Sequence, residues 1–321
     1  MPRDTDVKAP DADEPQPTDL GAIDDVPVVD AEGATPSVGF DADAYVDVGA
    51  KAKKPILFWI ATGWLGLVVL AAILAPFLPL HDPNRSDFTS VAVTPNSDYW
   101  LGTDAVGRDI LSRAIFGARI SLVVGLASVL LGMSVGGLVG LIAGYLKGRV
   151  EAAVMVVTDA LLAFPAIVLL LALMAVLGQS LPNLILGLAV LSVPTFIRLS
   201  RASALVLSQQ EFVIAARAYG SRSWRVIMRE IVPNVIPPMA AYGFVIIAVV
   251  IVAEGSLSFL GLGVPPPESS WGAMIANGRR DLTTIPHIAL IPATIMFVTV
   301  LAFNLVGERL RKRFDVKEGA L

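Results

Sequence analysis

Six apolar blocks, each close to or beyond the length that crosses a bilayer, limit what this chain can fold into more than any other feature. They run at about 55–80, 118–146, 151–178, 182–202, 235–262 and 286–306. A helix rises 1.5 Å per residue, so about 20 residues cover the roughly 30 Å hydrocarbon core of a membrane. The core holds no water, so a spanning element must satisfy its own backbone N–H and C=O groups, which leaves helices and closed barrels. The short alternating strands of a barrel are not seen. Only 16% of the residues are charged and mean hydropathy is +0.70, whereas a soluble domain carries about a quarter charged residues. The expected fold is an all-α membrane protein with six transmembrane helices.

The net charge of −4 conceals two regions of opposite sign. Residues 1–50 hold 13 acidic and 2 basic side chains, and the rest of the chain holds 15 acidic and 22 basic. The first 50 residues are rich in Asp, Pro and Ala and show neither helical nor strand periodicity. Such a segment buries too little apolar surface to offset its ordering entropy, so a disordered acidic tail is expected there. It lacks the basic start and immediate apolar core of a signal peptide. The expected divisions are tail 1–50, first span 51–80, outer segment 81–117, a five-helix core 118–306 with a charged loop at 203–235, and a C-terminal tail 307–321.

Lys and Arg counts in the connecting segments set an expected orientation, because cytoplasmic loops carry the excess. With the N-terminus inside, the inner segments hold 16 basic residues and the outer segments 6. Both termini and the charged loop are therefore expected in the cytoplasm. The second span places Ser128, Gly132, Gly136, Gly140 and Gly144 at four-residue spacing, close to one helix face. Small residues in such a row let a neighbouring backbone approach, which is a common packing device in lipid.

The loop centres on "EFVIAARAYGSRSWRVIMREIVPN", Glu211 to Asn234, with four arginines and two glutamates between apolar neighbours. Phe212, Ala215, Ala216 and Tyr219 recur at i, i+3, i+4 and i+7, the spacing of one helix face. Gly220 suits a left-handed C-cap, and Ser221 suits the N-cap of a second helix. That helix carries Trp224, Ile227, Met228 and Ile231 on one side, and Pro233 is expected to end or kink it. On charge alone the segment reads as a basic connector resting on anionic lipid. The Gly-Ser break, the paired alanines and the proline read as a shaped element suited to a partner's cleft.

Ile214-Ala215-Ala216, Gly220 and Pro233 match the spacing of the "EAA" loop, and on this the chain resembles the permeases of binding-protein-dependent ABC importers. The family's glutamate is Ile214 here, and its Leu-Pro ending is Val232-Pro233. Three further stretches are similar to the dipeptide/oligopeptide/nickel branch: Leu101 to Gly125, Asp159 to Leu173, and Glu254 to Ile275. The long segment between the first two spans resembles that of the C-type subunit. The resemblance covers about 80–320. It implies a type I importer permease architecture in a bacterial inner membrane, paired with a second homologous permease. It also implies two ATP-binding subunits, which would hold the ATP and Mg, and an extracytoplasmic substrate-binding protein. Glu211, Ala215, Ala216, Gly220, Trp224 and Pro233 would then form the element docked on the ATPase. Peptides are the implied substrate, with nickel or glutathione-like compounds as alternatives.

Single residues leave readings open. Asp159 falls inside the third span, where a charge faces a pathway or a structural partner such as an arginine. Glu254, near the end of the fifth span, reads as a candidate pathway residue for a substrate ammonium. Asp104 and Arg108 lie in a turn-and-helix-start pattern in which Thr103 or Asp104 caps a helix, or the turn contacts the binding protein. Trp271 reads as an interfacial anchor or an outer contact. His81 and His287 are isolated, and there is no cysteine, so no metal site is expected. The sequence contains no GxxxxGK[ST] phosphate loop and no catalytic constellation. A non-enzymatic subunit without its own cofactor is expected, with no nucleic-acid partner. An ion-coupled transporter acting alone would call for repeated interrupted helices and midplane charges, and no clear repeat is found.

Overall fold

The structure is a computed structural model that describes residues 56–318, with side-chain surroundings given through residue 314. The acidic tail expected at 1–50 and the lysines of the expected first-span start lie outside the described residues.

Helix α1 spans Ile56–Leu74 and continues into a 3-10 turn at Ala75–Phe77. Ala61, Leu65, Val68 and Ala72 form its buried stripe. Much of its remaining surface, including Leu57, Ile60, Leu67 and Leu70, is exposed, as expected of a helix bordering lipid. After a folded segment at 78–109 comes α2, Ile110–Leu146, a 37-residue helix. Its N-cap is Asp109, whose carboxylate accepts the Leu111 N–H at 3.0 Å. This helix begins eight residues before the expected 118, and neither Thr103 nor Asp104 caps it.

The third apolar block is not one straight span. Helices α3, Gly148–Ala163, and α4, Ala166–Leu177, meet at an angle of 91°. Pro165 causes the break: it has no N–H to donate, and it forces Phe164 into an extended conformation at φ −77°, ψ 135°. Helix α5, Leu181–Leu207, follows, capped by the Ser180 hydroxyl on the Asn183 N–H. The charged loop supplies α6, Glu211–Ala218, and α7, Ser223–Val226. A single π turn at Ile227–Ile231 joins α7 to α8, Val232–Phe259. A short α9, Trp271–Gly278, precedes α10, His287–Glu318. Five continuous helices are long and apolar enough to cross a membrane, and the bent α3–α4 pair makes a sixth if it counts as one span.

The glycine row of α2 decides how the bundle closes. All five small residues of the row are buried against α5. A Cβ on Gly132 would stand 2.7 Å from the Ser192 Cβ, and one on Gly136 would stand 2.5 Å from the Val193 carbonyl. At Gly140 it would collide with the Ser200 hydroxyl and the Ile197 carbonyl. The Ser128 hydroxyl donates to the Ile185 carbonyl at 3.1 Å. Helices α8 and α10 complete the main core around Val124, Ile247, Ile251 and Phe303. A second core cluster packs Val68, Ile110, Ala114, Trp271 and Ile288 at the end of the bundle that carries 78–109, here the loop end. The opposite end carries α6 and α7, here the hairpin end.

Candidate functional site

The hairpin end is built by its caps. Helix α6 stops at Tyr219, and Gly220 takes φ +78°, the left-handed region in which L side chains are strained. The Gly220 N–H donates to the Arg217 carbonyl at 2.9 Å and the Ser221 N–H to the Ala216 carbonyl at 3.1 Å. Those two bonds are the Schellman pattern, and they satisfy carbonyls the helix end would otherwise orphan. Ser221 does not cap the next helix: the N-cap position is Arg222, with no side-chain bond.

Val213, absent from the expected face, is the fully buried anchor of α6, with Ala216 half-buried beside it. On α7 and the π turn, Val226, Ile227 and Ile231 are buried. Phe212, Ile214, Ala215, Tyr219 and Trp224 turn outward, Tyr219 being 91% exposed and Trp224 59%. Glu211 is also exposed, at the first turn of α6. The Arg217 guanidinium lies 4.6 Å over the Tyr145 ring, which ties α6 to the end of α2. The hairpin thus exposes several large apolar side chains on a capped element.

Pro233 does not end the second helix. The chain remains helical from Ser223 through Phe259. The π turn lies directly before the proline, with the Val232 N–H donating to the Ile227 carbonyl, an i to i−5 bond. The widened turn sits where the imino residue cannot donate, so α7 and α8 form one continuous helical segment.

Asp159 is no isolated deep charge. Its carboxylate receives the Arg198 Nη2 at 2.7 Å, with both side chains more than half exposed. Arg201 pairs with Glu151 one step nearer the hairpin end, and its Nε lies 2.7 Å from Oε1. Together the two pairs brace α3 against α5.

Glu254 lies at the loop end of α8 and is 1% exposed. Its Oε1 accepts two hydroxyls, from Ser258 at 2.8 Å and Ser270 at 2.6 Å, and Oε2 has no partner. Ser270 is also the N-cap of α9, accepting the Ala273 N–H at 3.0 Å. Gly272 makes this fit possible: a Cβ there would stand 2.5 Å from the Gly255 Cα and 2.9 Å from Oε2. Gly255 and Gly272 also border an open apolar depression among α4, α8, α9 and α10, alongside Ile167, Phe259 and Met296.

Trp271 corrects the expectation of an outer contact or an interfacial anchor. The side chain is fully buried, its backbone N–H donates to the Ser121 hydroxyl at 3.1 Å, and its Nε1 donates to the Ala114 carbonyl at 2.9 Å. It pins α9 to α2. Asp104 is the hub of its own turn, accepting the Val106 and Arg108 N–H groups at 3.0 Å and the Arg108 Nε at 2.7 Å. With Oδ2 3.8 Å from the Arg113 Nε, its carboxylate is directed inward. In the same segment, the Thr89 hydroxyl and N–H bind the Asp87 carboxylate and pull its pKa down to about 2. Ser258, Ser270, Gly272 and Val213 were not picked out from the sequence. Of these, only the Ser-Trp-Gly start of α9 carries a local signal, the N-cap serine.

The helical bundle, with its bent third element and projecting hairpin, has the build of a multi-pass membrane protein. The chain belongs to the binding-protein-dependent transport system inner membrane component family, matched over residues 136–317, and is a multi-pass permease of an ABC importer. It is 40% identical over 260 residues to the glutathione transport system permease protein GsiD of Pectobacterium atrosepticum, covering 80% of this chain and 86% of that one. It is 41% identical over 252 residues to the protein of the same name from Escherichia coli O157:H7, covering 78% and 83%. The fold is similar to a chain of the inward-facing MetNI methionine ABC transporter, with a TM-score of 0.53, 16% identity, and coverage of 64% of this chain and 97% of that chain.

Proposed function

We propose that this permease carries small peptides of glutathione size, and that the α6–α7 hairpin docks in a cytoplasmic ATPase subunit and drives α8. The supporting observation is the hairpin itself: outward Phe212, Ala215, Tyr219 and Trp224 on a capped element that continues unbroken into a spanning helix. Nucleotide-driven closure of two ATPases would move the hairpin, and the rigid α8 would pass that motion to Glu254 and α9 at the loop end. ATP and Mg would belong to those subunits. A ligand or nucleotide shifts such an equilibrium only through its differential affinity for the two states.

In this reading the hairpin end and both termini are cytoplasmic, in keeping with the excess of basic residues there. The loop end then faces the substrate-binding protein, and a second permease subunit completes the pore. Relatives at about 40% identity are named for glutathione transport, and glutathione is itself a short peptide, which favours it and similar peptides over a metal chelate.

The chain has no cysteine, so Ala215→Cys gives the subunit a single thiol. In the assembled transporter, crosslinking from that thiol to the ATPase subunit is expected to depend on nucleotide. Labelling of the thiol by a membrane-impermeant reagent from the cytoplasmic side, with no crosslink to the ATPase, would overturn the docking role.

A further inference from the structure

A second feature is separate from the Glu254 junction and is lined by other residues. Helices α1, α2, α8 and α10 leave between them a groove of about 610 Å³, lined by apolar side chains such as Val69, Leu126, Met133, Gly243 and Phe303. One charged residue lines it, Arg119 on α2. Arg119 and Val123 also line a neighbouring pocket of about 530 Å³ at the loop end, whose far members include Glu268 and Leu181. The two spaces meet at one arginine.

The charges in this pocket are unevenly committed. Arg113 donates to the Pro83 carbonyl at 2.9 Å, and Asp82 accepts the Asn84 N–H at 2.9 Å. Arg119 and Glu268 are both exposed, and among the described residues neither makes an ion pair or a side-chain hydrogen bond, with each other or with anything else. Arg119 stands nine residues into α2, at the outer edge of the second apolar block, where a long basic side chain reaches the membrane interface and its phosphates. From Arg119 to Met133 the groove follows about 21 Å of helix, against roughly 15 Å for half of the hydrocarbon core. Gly243 leaves the groove open: a Cβ there would meet only Val129, at 3.7 Å.

We propose that this composite site holds one glycerophospholipid, with an acyl chain in the α1–α2–α8–α10 groove, its phosphate at Arg119 and a headgroup ammonium at Glu268. Asp82 makes no ion pair either, but Arg119 and Glu268 are the two charged groups of this pocket with no side-chain hydrogen bond among the described residues, and their opposite charges match a zwitterionic headgroup. A primary ammonium, as in phosphatidylethanolamine, donates hydrogen bonds to a carboxylate, whereas the quaternary ammonium of phosphatidylcholine has none to donate. The anionic phosphatidylglycerol satisfies Arg119 and leaves Glu268 without a counter-charge.

The test is lipid retention by the full chain purified with its partner subunits in detergent, read by native mass spectrometry. Phosphatidylethanolamine, phosphatidylglycerol and phosphatidylcholine are supplied in equal amounts. The wild type is expected to retain phosphatidylethanolamine over both others. Arg119→Gln should lower retention of all three by about tenfold, the equivalent of one charge-assisted hydrogen bond. Glu268→Gln should keep phospholipid bound while removing the preference over phosphatidylglycerol. Gly243→Leu, which fills the groove without touching either charge, should lower retention of every lipid. Equal retention of the three lipids by the wild type, or unchanged retention in Arg119→Gln, would overturn the site. A crosslink from Leu126→Cys to the second permease subunit, with no lipid retained, would assign the groove to that subunit and overturn it equally.

Discussion

Glu254 uses its two carboxylate oxygens unequally: Oε1 accepts two hydroxyls and Oε2 none. Removing the acceptor strands the Ser258 and Ser270 hydroxyls in a buried seam, at about 1–3 kcal/mol for each group left unpaired. Glu254→Gln keeps an acceptor in place, so its melting temperature in detergent should stay closer to wild type than that of Glu254→Ala; the reverse order would refute the assigned bonds. Asp87 gives a pH signature for the 78–109 segment. Its folded carboxyl stays charged down to about pH 2, whereas the reference value is 3.8. The stabilisation is complete above about pH 4 and is lost as pH falls through the window toward 2. Proteolysis of this segment should therefore accelerate over that window in the wild type, and Asp87→Asn should flatten the response. The sequence already singled out Glu254 and Asp159 as charges that need an account. Trp271 was misread because its partners, Ser121 and Ala114, lie 150 and 157 positions away, and no local pattern reports them.

Elements were legible where the signal is local. The glycine row of α2, the glycine that caps α6 and the apolar blocks all follow from spacing along one helix. The bend at Pro165 was equally local, since a proline inside an apolar block breaks the ladder, yet block length alone reads 151–178 as one span. Pro233 was expected to end or kink the second helix; the helix continues past it, with a π turn directly before the proline. That turn makes its own prediction. Deleting Met228 should convert the π turn to an α turn and rotate the hairpin about 100° relative to α8. Insertion and assembly should persist while ATP hydrolysis no longer drives uptake. Full coupling in the deletion variant would show that the register of the π turn is irrelevant. On the bundle side, Gly140→Leu should prevent α2 and α5 from closing and reduce the yield of folded protein, because the added side chain would meet the Ile197 carbonyl and the Ser200 hydroxyl. A normal yield would contradict that packing.

At the scale of the whole molecule, the sequence carried the number of apolar crossings and the charge asymmetry, both of which follow from bilayer physics. It did not carry the lateral order of the helices, which depends on contacts between distant residues such as Trp64 with Thr299 and Ser128 with Ile185. The α6–α7 hairpin stands at one end of the continuous Ser223–Phe259 helix, and the Glu254–Ser270 junction stands near the other. The most direct test of this account is ATP-driven peptide uptake into proteoliposomes by the assembled transporter carrying Ala215→Glu, a charge placed on the outward face of α6. Uptake should fall by about tenfold, the effect of about 1.4 kcal/mol lost at a docking surface, while membrane insertion and subunit content stay at wild-type levels. Wild-type uptake in that variant would contradict the account.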